Sequence, residues 1–145
     1  MDNFELRTIA HNSTEYEAAV ALRASILRQP LGLSFSAEEL SAESDSHHIA
    51  CYVGGELVGC LVLKPLDAGR IQMRQVAVAE SVKGRGIGRM MVRYAEDLAR
   101  GLGYEEMLLH ARETAVSFYE PLGYAKVGDP FSEVTSPHWI MMRAL

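Results

Sequence analysis

The stretch Gln75-Val76-Ala77-Val78-Ala79-Glu80-Ser81-Val82-Lys83-Gly84-Arg85-Gly86-Ile87-Gly88-Arg89-Met90 decides how this 145-residue chain is read. It starts as an apolar strand, passes through three glycines alternating with Arg85 and Ile87, and enters an amphipathic helix. Beyond it Ile87, Met91, Tyr94, Leu98 and Leu102 recur at helical spacing, with Arg89, Arg93, Glu96, Asp97 and Arg100 off that stripe. The first amides of a helix have no intrahelical partner, and the helix dipole puts positive potential there. Glycine lets an anion's oxygens reach such amides without a Cβ in the way. Lys83, Arg85 and Arg89 add charge at the same end, so the junction reads as a polyanion site in preference to a plain glycine-rich turn.

The charge distribution supports that reading. The chain carries 14 basic and 19 acidic side chains, a net charge of −5. That balance argues against a general nucleic-acid or anionic-membrane binder, which needs a basic surface. Residues 1–69 hold four basic and ten acidic side chains, net −6, and residues 70–145 ten and nine, net +1. Within 70–93, Arg70, Arg74, Lys83, Arg85, Arg89 and Arg93 face only Glu80, a local +5. Two nucleotide-binding patterns fail. A dinucleotide fingerprint counted from Gly84 and Gly86 meets Arg89 where its third glycine belongs, and no Lys-Ser/Thr pair follows the glycines as a Walker loop requires.

Working outward, Phe4–Ile9 alternates as a strand, and Asn12-Ser13-Thr14 offers N-caps, with Thr14 and Glu17 at capping-box spacing, for a helix to about Arg28. Residues 31–47 read as a loop with a short helix near Ser36–Glu43, either a substrate-binding segment or an exposed connection. Strands follow at about His48–Val53, Glu56–Leu63 and Arg70–Ala79, then after the long helix a short strand Met107–Ala111, a helix Thr114–Leu122, a strand Tyr124–Val127 and a last strand Trp139–Arg143. Gly54-Gly55 is a strong hairpin turn, and simple pairing across it sets Val53 opposite Glu56, Cys51 opposite Val58 and Ile49 opposite Cys60. That register makes the two cysteines diagonal neighbours, too far apart for an unstrained disulfide, so two free core thiols and a reducing cytoplasm are expected. The first residues lack a signal-peptide pattern, and no stretch has the apolar length of a membrane span. Asp45, His47 and His48 are weak metal candidates because adjacent strand residues point to opposite faces; no metal site is expected.

With these residues in view the chain resembles the GNAT superfamily of acyl-CoA-dependent N-acyltransferases. The family's Gln/Arg-x-x-Gly-x-Gly/Ala loop is matched by Lys83-Gly84-Arg85-Gly86-Ile87-Gly88, with Lys83 where Gln or Arg is usual. A helix carrying Phe-Tyr followed by Leu-Gly-Tyr/Phe is matched by Phe118-Tyr119-Glu120-Pro121-Leu122-Gly123-Tyr124. The resemblance covers essentially the whole chain. It implies one α/β (α+β) domain over 1–145, with a mixed, mostly antiparallel central sheet flanked by helices on both faces. The sheet would splay between the strand ending near Val78 and the strand Met107–Ala111. The implied cofactor contacts are Val76, Ala77, Val78, Lys83, Gly84, Arg85, Gly86, Ile87, Gly88, Arg89, Phe118 and Tyr119, with the pantetheine arm in the gap and the pyrophosphate on the loop amides. Arg112 stands where many members carry an Asn that bonds the pantetheine arm; arginine is longer and only donates, so it either reaches the phosphates or leaves the site.

The implied reaction is transfer of acetyl from acetyl-CoA to a primary amine of a small molecule or peptide, in a monomer or homodimer. The alternative is a non-catalytic acyl-CoA-binding sensor of the same fold. Transfer needs a donor for the developing oxyanion, a proton for the thiolate and a base for the amine. The backbone N–H near Val76–Val78 is implied as the first. Tyr119 is the leading general acid, against the alternative of a tyrosine packed beneath the cofactor arm. His110 has a suitable intrinsic pKa for the base, but alternation along His110-Ala111-Arg112 leaves its facing open, and Glu113, Glu133 and ordered water are alternatives. Trp139 and Met141 read as packing. The acceptor would lie between loops 31–47 and 128–138, and the −6 of the first half is compatible with a cationic amine or with a merely soluble surface.

Overall fold

The structure, a computed structural model, describes residues 3–133 and 136–145. Met1, Asp2, Val134 and Thr135 lie outside the described residues, and with them the first two residues of the signal-peptide reading and part of the expected 128–138 loop. The elements in chain order are β1 (Phe4–Ile9), α1 (Thr14–Leu27), α2 (Ala37–Ser41), β2 (His47–Val53), β3 (Glu56–Asp67), β4 (Arg70–Val78), α3 (Ile87–Gly101), β5 (Glu106–Arg112), α4 (Val116–Tyr119), β6 (Ala125–Glu133) and β7 (Ser136–Ala144). The strands form one sheet in the order β1-β2-β3-β4-β5-β7-β6. Every neighbouring pair is antiparallel except β4 and β5, which run parallel.

That parallel pair is short. Its register runs only from Arg70↔Glu106 to Met73↔Leu109, after which the strands part although β4 continues to Val78 and β5 to Arg112. The parting coincides with a bulge on β4: Cys60 pairs with Ala77 but Val62 with Arg74, so Leu61 alone opposes Gln75 and Val76. Gln75 sits at φ +54°, the one described non-glycine residue in the left-handed region. A bulge with a left-handed residue bends its strand and re-aims the groups beyond it, and here it turns β4 away from β5.

The two sheet faces carry different cores. On one, Ile71, Met73, Met107, Leu109, Ala111 and Met141 pack against Ile87, Met91, Val92, Ala95 and Ala99 of α3. On the other, Cys60 and Ala77 pack with Ala19, Leu22 and Ile26 of α1. Helices therefore cover both faces, as the resemblance implies. The α3 stripe is displaced from the expected one. Val92, Ala95, Glu96 and Ala99 are buried while Leu102 is 47% exposed, because the small alanines let the helix approach the sheet and Leu102 lies past its last turn. Gly59 permits the same approach, since a Cβ there would fall 2.8 Å from Met91 Sδ.

Several expected details are corrected. The N-cap of α1 is Ser13, whose Oγ accepts from Tyr16 N–H at 3.1 Å, while Thr14 Oγ1 donates to Glu15. The Gly54-Gly55 turn pairs Val53 with Glu56, but a bulge then shifts the register, so Cys51 faces Gly59, Ala50 faces Cys60 and Ile49 faces Leu61. One inserted residue exchanges faces: Cys51 lies in the α3-side core and Cys60 in the α1-side core, both free and buried. Residues 128–133 are strand, not loop, as β6 extends to Glu133. Among the described residues no group of three His, Cys, Asp or Glu converges as a metal site, and no helix is long and apolar enough to cross a membrane.

Candidate functional site

The glycine junction folds as an uncapped helix start. Gly86, the N-cap of α3, lies at φ +80° and offers no side-chain cap, and Gly84 lies at φ +81°. The first helical bond runs from Met90 N–H to Gly86 O at 3.0 Å, which leaves the amides of Ile87, Gly88 and Arg89 pointing out of the helix end. A Cβ at Gly84 or Gly86 would touch nothing within 4 Å, so those two glycines are required by conformation alone. At Gly88 the need is steric: a Cβ would meet Phe118 Cζ at 3.3 Å and Val78 Cγ2 at 3.8 Å. Phe118 thus packs on the first turn of α3 beside the end of β4.

The basic segment 70–93 does not act as one unit. Arg70 pairs with Asp67 at 2.7 Å, Lys83 with Glu80 at 2.8 Å, and Arg93 with Glu96 at 2.8 Å. Arg85 and Arg89 are exposed at the loop. Arg74 is exposed on the bulged part of β4 and joins a different feature.

That feature is a cleft of about 490 Å³ where β4 and β5 part. Alternation along the strands gives it two chemically distinct walls. Toward α3 it is lined by Met73, Val76, Leu109, Ala111, Ala115 and Tyr119; toward α1 by Gln72, Arg74, His110, Arg112, Glu133 and His138, closed by Leu27 and Arg28. Val76, Tyr119 and His110, widely separated in sequence, therefore share one cavity. The facing of His110 is settled: its Nδ1 lies 2.8 Å from Glu133 Oε2 and its ring stands edge-on to Phe131 at 5.1 Å. The pairing depends on β5 lying beside β7 and β7 beside β6. Glu113 is exposed and does not line the cleft. Arg112 turns toward α1, where Nη2 donates to Leu27 O at 3.3 Å.

Tyr119 is 8% exposed, and burial pushes its phenol up to about 12. Its ring meets Phe118 edge-on at 4.9 Å and Tyr124 at 5.8 Å. Behind it, Tyr124 Oη donates to Glu96 Oε2 at 2.7 Å, and Glu96 Oε1 accepts from Arg93 and Arg143, each at 2.8 Å. This buried carboxylate ties α3, β7 and the segment after Gly123 together and fixes the backing of Tyr119. Sequence reasoning placed Glu96 off the helix's apolar stripe; the only available signal was its i+3 spacing from Arg93.

The segment before β2 is anchored as well. Arg23, 2% exposed, donates from Nη2 to both oxygens of Glu43 at 2.6 and 2.8 Å, and Tyr16 Oη donates to Glu43 Oε1 at 2.8 Å. The guanidinium of Arg23 stacks on Phe35 at 4.6 Å and that of Arg28 at 4.1 Å. A capping box, Ser36 with Glu39, starts α2, within the stretch Ser36–Glu43 where the sequence predicts a short helix. Residues 31–47 are thus pinned against α1, and none of them lines the cleft, which is closed on that side by the preceding Leu27 and Arg28.

Comparison with known proteins agrees with this architecture. The model of the acetyltransferase (GNAT) family matches residues 13–124, more than half of the chain. The uncharacterized N-acetyltransferase YjcF of Bacillus subtilis is 27% identical over 143 residues, covering 93% of this chain and 96% of that one. Among solved structures, a putative N-acetyltransferase from Lactobacillus plantarum superposes with a TM-score of 0.87 at 24% identity, over 98% of both chains. A GNAT family acetyltransferase from Elizabethkingia anophelis, solved with acetyl-CoA bound, superposes at 0.78 with 17% identity over the full length of both chains. The last two likenesses concern the fold, and the family assignment rests on the model match: this chain belongs to the GNAT acetyltransferase family, a family of acyltransferases.

Proposed function

We propose that this chain is a single-domain N-acetyltransferase that moves acetyl from acetyl-CoA directly to a primary amine of a small molecule or peptide. The observation that carries the proposal is the convergence of Tyr119, the His110–Glu133 pair and the bulged backbone at Val76 on one cleft. β4 leads from that cleft, through a short turn over Glu80–Val82, to the glycine loop. The residues present fit a CoA thioester: outward amides at Ile87, Gly88 and Arg89 suit a diphosphate, and the opening between β4 and β5 suits an extended arm.

Bound there, the thioester supplies an activated acyl group. In this reading the Val76 N–H is the donor that stabilises charge on the acyl oxygen, a fixed dipole that needs no reorganisation. Glu133 accepts the Nδ1 proton of His110, which leaves Nε2 with the lone pair that takes a proton from the amine. The new C–N bond forms as the C–S bond breaks, and Tyr119 gives its phenolic proton to the departing sulfur. Against a thiol of ordinary pKa of about 8.5, a phenol at about 12 is uphill by about 5 kcal/mol. Burial raises thiols too, however: Cys60 in this same protein is pushed up to about 12. A thiolate released beside buried Tyr119 is raised in the same direction, which lowers that cost. Cys60 and Cys51 are both raised by burial, and neither lines the cleft, which favours direct transfer over a covalent enzyme intermediate.

Release of free thiol from acetyl-CoA across a panel of primary amines tests the proposal. Acceptor-dependent release is expected. Tight acetyl-CoA binding with no release from any amine would instead make the chain an acyl-CoA-binding sensor.

A further inference from the structure

The wall of the cleft opposite Tyr119 carries two arginines, Arg74 and Arg112, that the transfer chemistry does not use. Gln72 and Arg74 of β4 and His110 and Arg112 of β5 share the face toward α1. The last register pair, Met73↔Leu109, sets Arg74 level with His110 across the opening, and Arg112 stands two residues further along the same face, about 7 Å on. Arg74 makes no ion pair or hydrogen bond with the described residues, and Arg112 is bonded only to an uncharged carbonyl, Leu27 O. Arg28, the third arginine, already has Glu39 at 3.0 Å. Among the described residues the one carboxylate lining the cleft, Glu133, is turned to His110. Two guanidiniums thus face a cavity of about 490 Å³ with no carboxylate paired to either among the described residues.

We infer that the acceptor is a small amine that also carries a carboxylate, held by Arg74 and Arg112 with its amino group at the His110–Glu133 pair. The inference rests on the transfer reading and narrows its substrate class. Guanidinium presents paired N–H donors that match a carboxylate's two oxygens, and a carboxylate here relieves the repulsion between neighbouring cations. No acidic residue of 1–69 is among the described residues lining the cleft, and Glu39 and Glu43 of that half are paired to Arg28 and Arg23. A polyamine would bring further cations to an already cationic surface.

The test measures kcat/KM with saturating acetyl-CoA for glycine, β-alanine, γ-aminobutyrate and glutamate, the methyl ester of each, 3-aminopropyl phosphate and putrescine. A charge-assisted pair predicts that the best acid exceeds its ester by about tenfold or more. Arg74→Gln should collapse that ratio while leaving the Kd for acetyl-CoA unchanged, and Arg112→Lys, which keeps the charge but loses the fork, should reduce the ratio through KM. Esters or putrescine used as well as the acids would overturn the inference and leave the transfer reading standing. So would preference for the aminophosphate, or a loss of acetyl-CoA affinity in Arg74→Gln, which would make that arginine a cofactor contact. Acetyl-CoA binding with no thiol release from any of these amines would instead overturn the transfer reading, and this inference with it.

Discussion

Replacing Glu96 by Gln keeps the shape of a side chain that is 1% exposed but removes the charge to which two arginines donate. Hydrogen bonds to charged groups are worth about 1.5–3 kcal/mol each, so two of them set an upper range near 3–6 kcal/mol. That range must be discounted. The side chains of Arg93 and Arg143 are 39% and 27% exposed and recover hydration when released, and Tyr124 can still donate to the amide oxygen. The expected loss is about 2–3 kcal/mol, which for a chain of this size lowers Tm by roughly 5–10 °C. Thermal unfolding followed by circular dichroism measures it. Arg143→Gln in the Glu96→Gln background should cost less than in the wild type, because the partners share one network. A Tm change under about 2 °C with additive single effects would refute the view that Glu96 is the keystone behind Tyr124 and Tyr119.

Three further outcomes follow from named contacts. Tyr119→Phe should lower turnover at least about tenfold with acetyl-CoA affinity little changed, as expected for a general acid; an unchanged rate would return Tyr119 to packing. Gly86→Ala, at φ +80° with open space around its Cβ position, should cost about 1–2 kcal/mol of strain and weaken acetyl-CoA binding. Gly86→Asn, better tolerated in that conformation, should recover part of the loss, and equal damage from both would argue for a steric cause. His48 is lowered chiefly by burial, with Glu43 O accepting from or facing its Nε2 at 3.0 Å and His11, Tyr16 and Arg23 nearby. Its native ring stays neutral at pH values where the unfolded ring, at about 6.5, takes a proton. Stability from this group is therefore full above that value and is lost as pH falls below it. Tm should drop between pH 7.5 and 5.5, less so in His48→Gln; identical slopes would remove His48 as the source.

What could be read from the sequence was what is local. The uncapped helix start at Gly84–Gly88 depends on backbone conformation within a few residues, and the strand and helix order depends on periodicity. The Cys51–Cys60 register failed because the bulge near Val58 leaves no mark on hydrophobic alternation. The +5 of residues 70–93 was a true sum that hid three uses: Arg70, Lys83 and Arg93 serve local carboxylates, Arg85 and Arg89 lie at the loop, and Arg74 faces the cleft. The His110–Glu133 pair and the Arg74–Arg112 wall were not legible, since each joins strands whose adjacency is settled only by the sheet order and by the parting of β4 from β5.

A crystal structure with acetyl-CoA tests the account most directly. It should place the diphosphate on the amides of Ile87, Gly88 and Arg89, the acyl oxygen within hydrogen-bonding distance of Val76 N–H, and the sulfur beside Tyr119 Oη. An acyl group bound away from the opening between β4 and β5, or a sulfur out of reach of Tyr119, would contradict it.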